Sequence, residues 1–493
     1  MKTHGNHLEA VSRPATNKFC KMFGNNNRFE VKNKALVELS ETMHDNDPTA
    51  NSEIPAGYTY LGQFIDHDIT KDAAGGLSQE QLAQHDPFRL KDLEQQRTPA
   101  LDLDSLYGDG PNSLKSAHLY EDDNIRFKIG WTIGLDDKNE FPNDLPRKLN
   151  TQTKAQALIA DPRNDENLAV AQTHLAFLKF HNKVADTIQS GQPTLTNKAL
   201  FNKTRETVIK HYQSIVLHDF LVQFVDPNIY DQIVVNDNPR FFNIVAGENP
   251  CMPIEFSGAA FRLHTIIRDE YNWNKFFNAE PTALGDGKLQ RLFEFTGHSN
   301  FSGGTRNIRM GNTTAGFSAQ LPSVWIIDWR RFYDFNGIVA QPDEINWTKP
   351  MDTRIANTLF RLPGKEGSLA AKNLIRGSKI GLPCAQELLK RTGIAPTAIN
   401  EPTAKKYGLD KKTPLWYYLM AEAEQEGATK GKLGPLGSTI LCETFLGLVK
   451  GSTISIFHET GWRPSLPSQN PNQFTMVDLL LFNNDLFPNV QVG

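Results

Sequence analysis

Apolar residues recur at three- and four-residue steps through 167–190, 198–225, 367–376, 384–392, 413–424 and 437–450. Six amphipathic stretches of this length, with almost no strict apolar–polar alternation, leave one class of fold, helices packed on helices. Only 229–235 reads as a short strand. The 493 residues suffice to bury a large core without disulfide or metal staples. The 30 Phe, against 11 Tyr and 7 Trp, point to a dry aromatic interior. The helical pattern occupies about 51–452. Residues 1–50 are polar and Asn-rich, with one short helix expected at 34–43, and read as an extension lying on the body. Residues 453–493 carry Pro464, Pro467, Pro471 and Pro488 and read as a wrapping tail with a helical turn near 478–482. The expected architecture is all-α, one large and mostly helical domain with very little β. Gly- and Asn-rich links between 270 and 350, such as 300–304, read as loops.

Charge and cysteine usage narrow the partners. A net charge of −4 provides no field that would draw the chain to nucleic acid or an anionic membrane. No run approaches the length needed to span a bilayer. Cys20, Cys251, Cys384 and Cys442 are few and far apart, with no CxxC pair, so no disulfide framework is expected and a reducing compartment suits them. Residues 1–23 lack an apolar segment, so the expected location is cytoplasmic, or exported without an ordinary signal peptide.

The stretch 62–70, Gly-Gln-Phe-Ile-Asp-His-Asp-Ile-Thr, is the densest chemistry in the chain. In a helix Gln63 and His67 lie one above the other, with Asp66 and Asp68 flanking them. Asp is a poor helix former and His adds no packing gain there, so the cluster points to a site. In 98–108, Thr98, Ala100, Asp102 and Asp104 alternate and would face one side of an extended loop. They read either as a capped turn or, with Asp68, as an oxygen-only set for a hard cation such as Ca²⁺.

Three further segments each have a plain structural reading beside a functional one. Residues 161–167 (Asp-Pro-Arg-Asn-Asp-Glu-Asn) are expected to begin a long helix through His174 and His181, with Asp165 and Glu166 in its first turn and Arg163 free to point elsewhere. His174 and His181 read as packed histidines. His264 is expected in an apolar helix whose small neighbours would let a flat ligand approach. In 372–383 a helix is expected to stop at Gly377, and Asn373 and Arg376 read as a helix–turn–helix joint or as a buried amide and an anion clamp.

Taken in order, these five segments resemble the animal-type haem peroxidase superfamily, over about residues 55–452. The resemblance implies a mostly helical single domain around a buried haem b, and an enzyme that reduces hydrogen peroxide while oxidising halides or small phenolic donors. It implies His67, Gln63 and Arg163 as the catalytic residues of the distal side. It implies Asp68, Thr98, Ala100 through its carbonyl, Asp102 and Asp104 as a calcium loop. Asp66 and Glu166 match carboxylates that form ester bonds to haem methyls. His264 matches the proximal iron ligand, Asn373 its hydrogen-bonding amide, and Arg262 and Arg376 positions near the propionates.

The chain departs from the family in three places. Phe261-Arg262-Leu263-His264 replaces the usual Arg-x-Gly-His and resembles the spacing in the fatty-acid dioxygenase branch. That branch has a radical-forming Tyr three before the histidine, where this chain has Phe261, which argues against the alternative of a dioxygenase. Asn167 stands where one branch carries a haem-linking Met, and Lys379-Ile380 replaces an Asp-His pair. Two other readings compete: a helical His-Asp metal phosphohydrolase built on His67-Asp68 and His218-Asp219, and a haem-binding sensor without turnover. The first leaves the calcium-like loop unexplained, and the second leaves Arg163 without purpose. The oligomeric state is not encoded in any of these features.

Overall fold

The computed structural model describes residues 18–24, 28–72, 76–134, 140–151, 154–245, 247–280, 282–296, 308–309, 312–313, 321–361, 367–425, 431–488 and 490. The loop expected at 300–304 lies outside them. The principal helices are α1 (Asn33–Ser40), α2 (Gly57–Ile69), α3 (Leu168–Gly191), α4 (Asn197–Ile215), α5 (Leu369–Lys379), α6 (Ala385–Thr392), α7 (Leu415–Gln425), α8 (Pro435–Gly451) and α9 (Met476–Asn483). Each of the six periodic stretches is helical, so the mostly helical fold stands as expected.

Local chemistry sets the helix ends. The side chains of Asn167, Thr196 and Ser368 cap α3, α4 and α5 by accepting from Val170, Ala199 and Ala371 N–H. α5 does not stop at Gly377 but runs to Lys379. Leu382 N–H returns to the Gly377 carbonyl (3.0 Å) and Gly381 N–H to that of Ser378 (3.2 Å). This termination needs a left-handed residue, and Gly381 at φ +83° supplies it. Gly377 stays helical, with Leu382 packed over it.

α2 is the centre of the packing. Every residue in it is buried except Gln63 and Asp66. It lies against α3, which pairs with α4 and is covered by α9. Two glycines permit the approach. A Cβ on Gly57 would stand 2.4 Å from the Tyr333 ring, and one on Gly62 3.1 Å from Phe220.

Strand is confined to short pairs among the described residues. β1 (Phe19–Cys20) runs parallel to β6 (Met252–Pro253), while β2 (Gly130–Ile133) pairs with β3 (Glu140–Asp144) and β4 (Arg147–Thr151) with β5 (Lys154–Ala157). The strand expected at 229–235 is absent. Asp226 caps a helical turn, Pro227–Tyr230, that continues as a π-helical turn through Asp231–Val235. Packing of this turn on α8 overrides the β preference of Ile-Val-Val.

A second correction concerns the cysteines. Cys20 and Cys251 form a disulfide across β1 and β6, 231 residues apart in sequence, which no spacing rule could reveal. Cys384 and Cys442 are free and buried. The bond tethers the N-terminal segment to the body, and it removes the reason for preferring a reducing compartment.

His174, His181 and His211 are buried, and burial pushes them down to about 3, about 4 and about 4 respectively. In the unfolded chain each titrates near ~6.5. Below that value the unfolded state binds protons that the folded state refuses, so their contribution is present above ~6.5 and is lost downward through this window. The unfolding free energy should fall by about 1.4 kcal/mol per pH unit for each histidine between roughly pH 6.5 and 4. Urea titrations across that range measure it, and a flat profile would contradict the burial of the three neutral rings.

Candidate active site

The turn 161–167 clasps α2 at both of the residues stacked on its polar face. The long helix does not begin at Asp161, as periodicity led one to expect. Pro162–Asp165 form a 3₁₀ turn capped by Asp161, and α3 starts only after Asn167. Consequently Asp165 and Glu166 serve no helix dipole. Asp165 is instead buried against Arg147, which also binds Asp144, and two carboxylates hold that guanidinium fully charged.

The released turn supplies four side chains. Asn167 Nδ2 donates to Gln63 Oε1 (2.9 Å), and Gln63 Nε2 donates to Glu166 Oε2 (3.4 Å). His67 Nδ1 lies 2.9 Å from Asn164 Oδ1. Arg163 Nη2 donates to the His67 carbonyl and Nη1 to that of Thr70, both at 2.8 Å, closing the C-terminus of α2 with positive charge. Burial, then the Arg163 charge, lower the His67 pKa, so its ring is neutral near pH 7.

Behind this clasp lies a chain of charges. Asp161 accepts from Arg163 and also from the buried Arg97, and the two guanidiniums hold it well below the usual carboxylate range despite its burial. Arg97 Nη1 reaches Asp104 Oδ1 (3.4 Å). Asp104 Oδ2 accepts from Thr98 N–H and Oγ1 (3.1 and 2.9 Å). Asp68 accepts from Leu103 N–H, Ser105 N–H and Ser105 Oγ. One oxygen each from Asp68, Asp102 and Asp104 lies within 4.8 Å of the others. Burial and the two neighbouring carboxylates push Asp68 well above its ordinary value. A hard cation would relieve that repulsion, and the all-oxygen donor set suits Ca²⁺. Ala100 is buried in the same turn.

On the opposite side, His264 is not within an apolar helix. A π-helical turn, Phe256–Ala260, ends, and His264 opens a 3₁₀ turn. Its small residue Gly258 serves packing, since a Cβ there would stand 2.6 Å from Ile380 Cδ1. Asn373 Nδ2 donates to His264 Nδ1 at 3.3 Å, and a half-turn of the amide offers Oδ1 as an acceptor instead. Trp416 Nε1 donates to the Arg262 carbonyl (2.9 Å) and fixes the backbone two residues earlier. Burial, helped by Arg262 and Arg376, pushes His264 down to about 3, which keeps it neutral as a metal ligand must be.

Gln63, Asp66, Arg163, Glu166, Arg262, Leu263 and His264 each retain accessible surface although they come from deep segments. Arg262 feels the charges of Asp66 and Arg163, so the two walls are near each other. We read their partly exposed faces as the walls of one hollow. Arg262 donates from Nε to the Ser257 carbonyl, and burial beside Arg376 lowers it to about 10. No carboxylate bonds it among the described residues. Arg376 binds Asp72, while its Nε is buried without a partner. An under-neutralised pair of buried arginines beside a neutral histidine fits haem with its two propionates. Lys379 turns away, to the carbonyls of Ala83 and His85.

Phe261 stacks on Phe256 (4.9 Å) and meets Phe220 and Phe445 edge-on, a packing role. The His-Asp metal reading loses its ground. Among the described residues the one set of three close ligand groups contains no histidine, His218 bonds Tyr230, and Asp219 bonds Tyr58 and Met476 N–H. Asn164, Asp161, Arg97 and Trp416 are site neighbours that sequence reasoning did not select. Asn164 and Asp161 lay within a segment already singled out.

The model of the animal haem peroxidase family matches residues 80–452, starting beyond α2. Heme peroxidase 2 of Caenorhabditis elegans is 21% identical over 386 residues, covering 74% of this chain and 48% of its own. Chorion peroxidase of Drosophila melanogaster is 22% identical over 414 residues, covering 79% and 46%. The chain thus spans about half the length of these curated relatives. Among solved structures, peroxidase A from Dictyostelium discoideum superimposes with a TM-score of 0.61 at 15% identity, covering 96% of this chain and 94% of that one. The Oryza sativa fatty acid alpha-dioxygenase gives 0.57 at 14% identity, covering 92% and 76%.

Arg97 is the test of the charge chain. Arg97→Leu would leave Asp161 and Asp104 short of a buried counter-charge and should cost about 3–5 kcal/mol. Urea unfolding of the variant measures this, and a loss below ~1 kcal/mol would mean that the pair is solvent-screened.

Proposed function

The chain belongs to the animal haem peroxidase family, and on that premise we propose that it is a haem peroxidase reducing hydrogen peroxide with electrons from halides or small phenolic donors. The reading is supported by the partly exposed Gln63, Asp66, Arg163, Glu166 and His264, taken as the walls of one hollow, and by Arg262 and Arg376 beside them. Haem, when bound, supplies the redox chemistry that takes oxidising equivalents from peroxide and passes them to the donor.

The chain's own residues do the rest. His67, neutral and held at Nδ1, takes a proton at Nε2 from one peroxide oxygen and returns it to the other, making water the leaving group. Arg163 has most of its N–H groups on Asp161 and α2, so it acts as a fixed positive charge beside His67 favouring the anionic oxygen. Gln63, gripped by Glu166 and Asn167, positions water or a halide in the hollow. His264 would hold the iron, and Asn373, whose amide lies 3.3 Å from Nδ1, would fix the tautomer once a half-turn presents its oxygen to Nδ1–H. Asp68, Asp102 and Asp104, with Thr98 and the Ala100 carbonyl, would hold a calcium ion, which would neutralise the acid cluster and fix α2 one residue beyond His67. Asp66 and Glu166 border the hollow and offer carboxylates for ester links to the haem rim.

A second reading, a fatty-acid dioxygenase, is favoured by the Phe261–His264 spacing and opposed by Phe261 itself, which cannot form a tyrosyl radical. The disulfide favours an oxidising compartment, and no helix among the described residues is long and apolar enough to cross a membrane.

Purified protein supplemented with haem should show a Soret band, and should oxidise guaiacol or bromide with hydrogen peroxide. His67→Ala should lower turnover about 10²–10⁴-fold, and Arg163→Ala should also lower it strongly. A missing Soret band, or full activity in both variants, would remove the proposal.

A further inference from the structure

We infer that Asn164 and His174 form a two-link hydrogen-bond chain that sets the tautomer and ring orientation of His67. The purpose of this positioning role rests on the peroxidase reading, but its geometry does not.

His67 Nδ1 lies 2.9 Å from Asn164 Oδ1, and Asn164 Nδ2 lies 3.0 Å from His174 Nδ1. His67 is 6% exposed, and Asn164 and His174 are 0% exposed, so water does not compete for these atoms. A neutral imidazole has one N–H and one lone pair, and the partner at one nitrogen decides what the other presents. With the amide oxygen at Nδ1, the proton sits on Nδ1 and Nε2 keeps its lone pair. That is the form able to receive a proton in the hollow. Were the amide turned over, Nδ2 would face Nδ1, and Nε2 would carry hydrogen and have no lone pair to offer.

His174 is the second partner of the amide. Its Nδ1 faces the amide nitrogen, and with the proton on Nε2 it accepts from that nitrogen and holds the amide oxygen toward His67. Burial pushes His174 down to about 3, so the ring does not protonate and become a donor at both nitrogens. Its Nε2 is buried without a hydrogen-bond partner, so the Asn164 amide is the one hydrogen-bonding contact of the ring among the described residues. Phe64, the neighbour of Gln63 on α2, meets the His174 ring edge-on at 5.7 Å. Asn164 and Arg163 are adjacent, so one turn fixes His67 both at its ring and at its carbonyl.

The test reads the tautomer directly. Full-length chain labelled with ¹⁵N-histidine, held diamagnetic by reduction under carbon monoxide where haem is bound, is examined by imidazole ¹⁵N NMR, with His67→Gln assigning the resonance. In the parent chain His67 should be protonated at Nδ1. Asn164→Asp, which keeps an acceptor, should retain that form. Asn164→Leu should shift the tautomer ratio toward Nε2–H by roughly five- to tenfold, the worth of one buried hydrogen bond. His174→Phe should shift it in the same direction by releasing the amide. It also serves as the second variant if Asn164→Leu does not fold. An Nε2–H tautomer in the parent chain, or an unchanged ratio in the folded Leu and Phe variants, overturns the inference. Failure of haem binding would overturn the peroxidase reading and leave this measurement intact.

Discussion

The grip of one 3₁₀ turn on one buried helix underlies the rest of the molecule. α2 carries His67 and Gln63 into the interior, where an unheld polar side chain would be costly. The turn 161–167 meets each of them with a bond of the right sense, and its arginine closes the end of α2. Because the same turn begins α3, the orientation of the longest helix and that of the two side chains are set together. The delayed start of α3 has this physical origin: residues whose side chains serve α2 cannot also lie in the regular first turn of α3.

Charge deep in the fold is organised by the same grip. Asp161 stands between Arg163, which touches α2, and Arg97, which touches the acid cluster. A single buried carboxylate joins the two, so the guanidinium on the acid cluster and the one that closes α2 share a counter-charge. The opposite wall has the reverse imbalance, with arginines in excess. An acid-rich cluster behind α2 and a base-rich wall around His264 are poised for a cation on one hand and for carboxylate groups on the other.

Helix positions were legible because they follow a local period, and Gln63 with His67 was legible because four residues separate them on one helix face. Asp68 with the 98–104 loop was legible only as a set of matching donors. The pairing of His264 with Asn373 came from resemblance, as nothing local joins residues 109 apart. Asn164 was hidden because its partner lies 97 residues away and because Asn in a turn has an ordinary explanation. Arg97 was hidden because its partner Asp161 lies 64 residues away. The disulfide failed for the same reason, and the 229–235 strand failed because tertiary packing outweighed side-chain preference.

Asn167 carries a consequence for how freely this sequence can drift. Its oxygen caps α3 through Val170 N–H, while its nitrogen donates to Gln63. Ser, Thr or Asp would cap the helix as well, but none can also offer an N–H, and Gln places the same amide one carbon farther out. The position is thus confined by two unrelated demands at once, and an exchange neutral for the helix would strip the hollow of a contact. A change at either position removes a partner from the other, so the two act as one physical unit although 104 residues separate them.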